Sequence, residues 1–381
     1  MRASKLFRDF FESEKAGGII LVACAVVSMI LANSGLRDSY LGFWHTNIAG
    51  HGLSHWVNDG LMAIFFLLIG LELEREIYKG ELSNIKNALL PISAAVGGML
   101  FPAAIFLFFN WGTETQAGAG IPMATDIAFA LGILSLLGNK VPTSLKVFLT
   151  ALAVIDDLGA ILIIAIFYTK SIAWMYLLIS LGIWVLLLIL NRLKVHNLLP
   201  YLIGGIGMWY CMLYSGVHAI ITGVLLAFAI PFGNGNEKSP SYLLQHWLHK
   251  PVAFIILPLF ALANTAVMIS PGWQHTLTEP LGVGVLTGLI IGKPMGIIII
   301  SSIAVKSGIC HLPSDIKWQH VLGAGLLAGI GFTMSIFITL LAFENETMIN
   351  NAKFLILIAS LISGLLGFVW LQQTLKNQKA E

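Results

Sequence analysis

Apolar stretches long enough to cross a lipid bilayer recur throughout this 381-residue chain, and no other feature restricts its folding as much. A hydrocarbon core about 30 Å thick requires about 17–25 apolar residues per crossing helix. Twelve such spans are legible, at approximately 17–33, 57–77, 88–109, 121–137, 145–168, 173–190, 199–215, 217–230, 252–270, 281–304, 319–343 and 353–372. Inside a bilayer no water satisfies backbone N–H and C=O groups, so only helices and closed barrels can cross. These runs of Leu, Ile and Val lack the polar alternation of barrel strands. The expected fold class is therefore all-α and polytopic, a single membrane domain over 1–381 without a soluble insert. Only 10% of the residues are charged, against about 25% in soluble domains, and no nucleic-acid partner is expected.

Lys and Arg give the orientation. With both ends on one side, the termini and even-numbered loops hold 17 of the 21 basic residues. The odd-numbered loops hold Arg37, Lys170 and Lys353, and Lys293 falls inside a span. Basic loops stay in the cytoplasm, which puts both termini there. Leu6, Phe7, Phe10 and Phe11, at helical spacing beside Lys5 and Arg8, predict an amphipathic helix over 1–16 on the inner surface. Cys24, Cys211 and Cys310 have no metal-ligand spacing. The ten histidines are scattered, with His51 and His55 in an outer loop and His246 and His249 in an inner one.

Four strongly polar side chains lie within spans: Asp126, Asp156, Asp157 and Lys293. Asp59, Glu72, Glu74 and Glu76 fall near the ends of span 2, within expected reach of water. A mid-membrane Asp or Lys costs about 2.5–3.5 kcal/mol on insertion scales and marks an ion path, a relay or a buried pair. A structural salt bridge accounts for one Asp and one Lys. Two carboxylates remain, so a mobile cation is missing. Asp156 and Asp157, adjacent in ALAVIDDLGAILII, diverge by about 100° around a helix, so one can face a cavity and the other a neighbouring helix. Crowded carboxylates away from water hold protons tightly, and their oxygens suit a hard monovalent cation. Competition between the two for one pair is the simplest exchanger. Lys293 supplies an ammonium that can pair with a carboxylate and be displaced by an arriving ion.

GAGIPMATDIAFALG, 118–132, interrupts span 4. Pro122 removes a backbone donor and the glycines before it loosen the chain. Residues 127–137 then form a half-helix whose positive end needs an anion. Asp126 either fills that role or ligates the ion, and Thr125 offers a hydroxyl oxygen beside it. LLAGIGFTMSIFI, 326–338, interrupts span 11 with Gly329 and Gly331. Spans 3–5 (about 88–168) start inside and spans 10–12 (about 281–372) outside, so the triplets are inverted and each has a broken middle member. That arrangement points to a transporter's binding site. Two crossing breaks would bring two N-terminal helix ends together for Asp126 to balance, and two C-terminal ends for Lys293.

GIPMATDIAFALG, TALAVIDDLGAILIIAIFYT, GLIIGKPMGI and GIGFTMSIFI resemble the NhaA sodium/proton antiporters of bacterial inner membranes. NDGLMAIFFLLIGLELEREI and SGVHAIITGVLLAF extend the resemblance over nearly the whole chain. It implies twelve helices with two discontinuous ones crossing at the ion site. Asp156 and Asp157, with Thr125, would bind Na⁺, and Asp156 would pair with Lys293 when sodium is absent. Thr125 and Asp126 would support the crossing. Exchange would be electrogenic, more protons entering than sodium ions leaving, with Li⁺ as a substitute, no cofactor, and activation at alkaline pH. Glu72, Arg75, Glu76 and His246 match the family's pH-responsive cluster, and His218 matches another histidine tied to pH. Tyr242, Leu243 and Gln245 stand where the family carries basic residues and a glutamate, so a different pH threshold is expected. A homodimer is implied, although the first outer loop, 34–56, is shorter than the family's dimerising hairpin.

Two other classes fit this sequence less well. An intramembrane aspartyl protease carries its aspartates on separate helices in Y-D and G-x-G-D contexts, unlike the adjacent pair in IDDLG. A carrier of an organic solute, or a channel, needs aromatic and amide donors around a roomier site, and the polar residues within the spans do not supply them.

Overall fold

The structure, a computed structural model, describes residues 5–169, 172–269 and 272–377, with side chains from Ala16 onward except those of Asn139 and Asn377. Residues 5–32 form one helix. Residues 1–4, the side chains of the predicted surface helix and Lys170 lie outside the described residues.

Every predicted span coincides with a helix or a pair of helices. Seven are long and apolar enough to cross alone: Leu53–Tyr78, Ile85–Asn110, Thr143–Phe167, Trp174–Arg192, Pro240–Asn264, Pro280–Lys306 and a last helix running to Asn377. Spans 4 and 11 are bent pairs. Spans 7 and 8 are the shorter helices Leu199–Leu213 and Ile221–Ala229. The chain is thus an all-α polytopic membrane protein. The described strands are one minimal hairpin, Asn47–Ile48 against His51–Gly52. Its two-residue loop, Ala49 and Gly50, takes positive φ at both positions, as such turns require.

Span 9 begins earlier than hydropathy implied. Ser239 accepts a hydrogen bond from the Tyr242 N–H, and Pro240 occupies the first turn, a strong helix-start signal. His246 and His249 therefore lie on a helix and not in a loop. Within span 9 and span 10 a wider, π-type turn precedes a proline. Leu257, before Pro258, donates to the Val252 carbonyl five residues back, and Lys293, before Pro294, donates to Gly288. Each proline removes a donor from the regular ladder and crowds the carbonyl four residues behind it.

Contacts group the chain into two compact units. The first comprises Met1–Arg37, Asn84–Ala160 and Asn264–Glu381. Within it, spans 3 and 10 approach backbone to backbone. A Cβ placed on Gly97 would fall 2.1 Å from the Gly296 carbonyl, and one on Gly296 would meet Gly97 equally closely. Glycine there lets two backbones touch, the usual device for helix association in lipid. The second unit comprises Asp38–Ser83 and Ile161–Ala263. Spans 2 and 8 run side by side within it, Gly223 against Ala63 and Leu67, and Gly70 against Val224 and Ala227.

Candidate functional site

The first unit contains Asp126, Asp156, Asp157 and Lys293, the four strongly polar residues predicted within spans. The first half of span 4, Glu114–Met123, winds as a 3₁₀ helix around Pro122. The backbone is extended at Ala124 and Asp126 before Ile127–Leu136 begins at a bend of 42°. Span 11 breaks at 329–331 between Trp318–Ala328 and Phe332–Ala342, with a bend of 47°. The two breaks meet. The Asp126 N–H donates to the Ile330 carbonyl at 2.7 Å, and the Ser335 hydroxyl donates to the Ile121 carbonyl at 2.6 Å.

Unpaired helix ends decide how this crossing is held. N-terminal amides and C-terminal carbonyls have no partner within their own helix, and lipid offers none. One Asp126 oxygen accepts from Phe129 N–H at 3.0 Å, which caps the second half of span 4. The other accepts from the backbone N–H and hydroxyl of Thr333, which caps the second half of span 11. Phe332 N–H, also at that end, donates to the Ser360 hydroxyl of span 12. Asp126 thus serves both positive ends. The negative ends are divided. Lys293 Nζ donates to the Met123 carbonyl, whereas the Ala328 carbonyl lies 3.0 Å from the Thr125 hydroxyl. Lys293 was expected to balance both and serves one, because Thr125 occupies the other.

Asp156, Asp157 and Lys293 are wholly buried, and Asp126 is nearly so. Lys293 Nζ lies 2.9 Å from Asp156 Oδ2, an oxygen that is also 2.7 Å from the Thr125 hydroxyl. The second Asp156 oxygen has no hydrogen bond among the described residues. The Lys293 charge also acts on Asp157. Three carboxylates and one ammonium therefore share this sealed region. Such an arrangement has the chemistry for counter-ion exchange, since a cation or proton arriving at Asp156 Oδ2 would meet the lysine there. The lysine stem passes Gly98 of span 3, and the Gly97–Gly296 contact fixes span 10 one turn further on.

The predicted pH cluster gathers in the second unit. Arg75 Cζ sits 5.4 Å from the centre of the Tyr242 ring, and that ring stacks on His246 with centroids 6.3 Å apart. Gln245 hydrogen-bonds Glu72, and the Glu81 N–H donates to Glu76 at 3.0 Å. Two residues singled out as departures from the family pattern, Tyr242 and Gln245, are thus the bridges of this cluster. Glu74 is a correction: it is buried and accepts from the Ser241 hydroxyl at 3.0 Å, so it does not reach water. Span 9 begins early enough to cover it. His218 stands apart, its ring 3.1 Å from the Tyr168 carbonyl. Gly223 packs at the level of Ala63, so His218 lies toward the opposite end of span 2 from Glu72 and Glu76.

Thr333, Ser335 and Ser360 were missed because hydroxyls are common in apolar spans. The position of Thr333 just after GIG was the available signal.

Comparison with known proteins identifies the family. The profile of the family described as Na⁺/H⁺ antiporter 1 matches residues 8–371. Among curated relatives, a protein of Flavobacterium psychrophilum named Na(+)/H(+) antiporter NhaA is 66% identical over 377 residues, covering 99% of this chain and 98% of that one. Proteins of the same name from Cytophaga hutchinsonii and Dechloromonas aromatica are 61% and 60% identical, covering 99% and 97% of this chain, and 97% and 96% of their own lengths. With its multiple spans, its two crossing breaks and a match over nearly its full length, the chain belongs to the Na⁺/H⁺ antiporter 1 family, whose members are transporters and not enzymes.

Proposed function

We propose that the chain exports Na⁺, or Li⁺ in its place, in exchange for protons by alternating access. The ions compete for Asp156 and Asp157, with the Thr125 hydroxyl as a neutral ligand and Lys293 as the internal counter-ion. The observation that carries this reading is the excess of buried acid over buried base in one contact group. An incoming Na⁺ displaces the Lys293 ammonium from Asp156 and protons from the pair. Release of more than one proton for each monovalent ion makes the cycle electrogenic. No cofactor enters the cycle.

Alkaline activation is assigned to Glu72, Arg75, Glu76 and His246, with His218 as a separate contributor. The excess of basic residues in even-numbered loops supports cytoplasmic termini in a bacterial inner membrane. The hairpin at 47–52 is the segment proposed to contact a second copy in a homodimer. Purified protein in liposomes with an internal pH-reporting dye tests the proposal. Na⁺ and Li⁺ should each drive proton movement, and K⁺ and Ca²⁺ should not. Absence of any Na⁺-driven pH change would overturn it.

A further inference from the structure

His320 is the third residue of Trp318–Ala328, the first half of span 11. Its ring is buried, and Nδ1 accepts a hydrogen bond from the Lys317 N–H at 3.1 Å. In return the His320 N–H donates to the Lys317 carbonyl at 2.8 Å. A glutamate or glutamine usually makes this reach back to the first amide of a helix. Here the acceptor is an imidazole, which can accept at Nδ1 only while that nitrogen carries no proton. The neutral ring then holds its hydrogen on Nε2, which is buried without a hydrogen-bond partner among the described residues.

A proton arriving at Nδ1 turns the acceptor into a donor facing another N–H. It also sets a positive charge at the positive end of a helix. The cap exists in one charge state only. The charges acting on the ring are those of Lys317 and Asp315, both just before the helix. The helices packed against this half of span 11 are Ile127–Leu136, Lys293–Lys306 and Glu346–Asn377. Among the described residues, the ionisable ones they carry toward this end are Lys306 and Lys376, both exposed, so the carboxylate acting on the ring is that of Asp315.

The far end of the same half-helix is the ion site. The Ala328 carbonyl and Asp156 Oδ2 both lie within hydrogen-bonding distance of the Thr125 hydroxyl, which has one proton to give. Eleven residues make a rod about 16 Å long, so a change in its seating at His320 alters the competition at Thr125. We propose that His320 is a positioning residue whose proton unseats the first half of span 11 and thereby links pH at that end to ion binding. The inference rests on the antiporter reading above.

His320→Gln and His320→Ala test it, since glutamine accepts at any pH and alanine at none. Melting temperature in detergent and Na⁺-driven exchange in liposomes are measured between about pH 6 and pH 8.5, either side of the imidazole range. A helix cap biases a local equilibrium by about twofold to thirtyfold. His320→Gln should lose less melting temperature on acidification than the wild type. Its half-maximal activity should move about 0.5–1 pH unit toward acid. His320→Ala should show, at the alkaline limit, a severalfold higher KM for Na⁺ than wild type, with His320→Gln restoring the wild-type value. Superimposable acid melting losses and superimposable pH profiles for wild type and His320→Gln would overturn the inference. Wild-type protein that moves no protons in response to Na⁺ defeats the antiporter reading, and the melting comparison still decides the cap.

Discussion

Replacing Lys293 by alanine isolates the charge arrangement at the crossing. In the intact protein its ammonium lies 2.9 Å from Asp156 Oδ2 and donates to the Met123 carbonyl, with both side chains sealed from water. The substitution leaves a buried carboxylate without its closest counter-charge and a helix-end carbonyl without its donor. Breaking a buried pair from one side costs about 3–5 kcal/mol, and orphaning a buried carbonyl costs about 1–3 kcal/mol. The two losses share one ammonium, so a destabilisation of about 4–6 kcal/mol is expected. Asp156→Asn removes the other side and strands the ammonium instead. Combining the two leaves neither charge stranded by the loss of the other. The double variant should therefore be more stable than the summed single effects imply, by about 2–3 kcal/mol. Equilibrium unfolding in mixed micelles of the wild type and the three variants, at one pH and salt concentration, closes the cycle. If the single effects add to within about 0.5 kcal/mol, Lys293 and Asp156 do not hold each other and the arrangement inferred here is wrong.

Asp157→Asn should insert and purify normally yet lose Na⁺-driven proton movement in everted vesicles; undiminished exchange counts against its place in the site. Gly97→Ala places a methyl 2.1 Å from the Gly296 carbonyl, so spans 3 and 10 must part by about 1 Å, at a cost of about 1–3 kcal/mol. Because Lys293 lies one turn away, exchange should fall at least about tenfold, and wild-type melting together with wild-type rates would exclude that close contact. Gln245→Glu sets a second carboxyl against Glu72; two facing carboxyls share a proton, so the activity profile should shift along the pH axis, and an unmoved profile removes this cluster from pH control.

The spans were legible because hydropathy is a property of strings, and a bilayer imposes one length on all of them. Asp126, Asp156, Asp157 and Lys293 were legible as polarity where polarity is costly. What completes the crossing was not. Thr333 reaches Asp126 across 207 residues of sequence, and a threonine in an apolar run carries no mark of such a partner. Gly97 and Gly296 look like any of the 38 glycines until two helices bring them together. Glu74 was misjudged because nearness to a span's end says nothing about what packs over it, and Ser241 does. The early start of span 9 was missed because SYLLQHWLHK is polar enough to pass for a loop, although Ser239–Pro240 is a recognisable helix start.

Asp126 fastens amides from two different spans with its two oxygens, and that limits how the molecule can move. A single bolt through two plates lets them turn together but not slide separately. A spectroscopic label on either half-helix should consequently report the same transition, at the same rate and the same sodium concentration, as a label on the other.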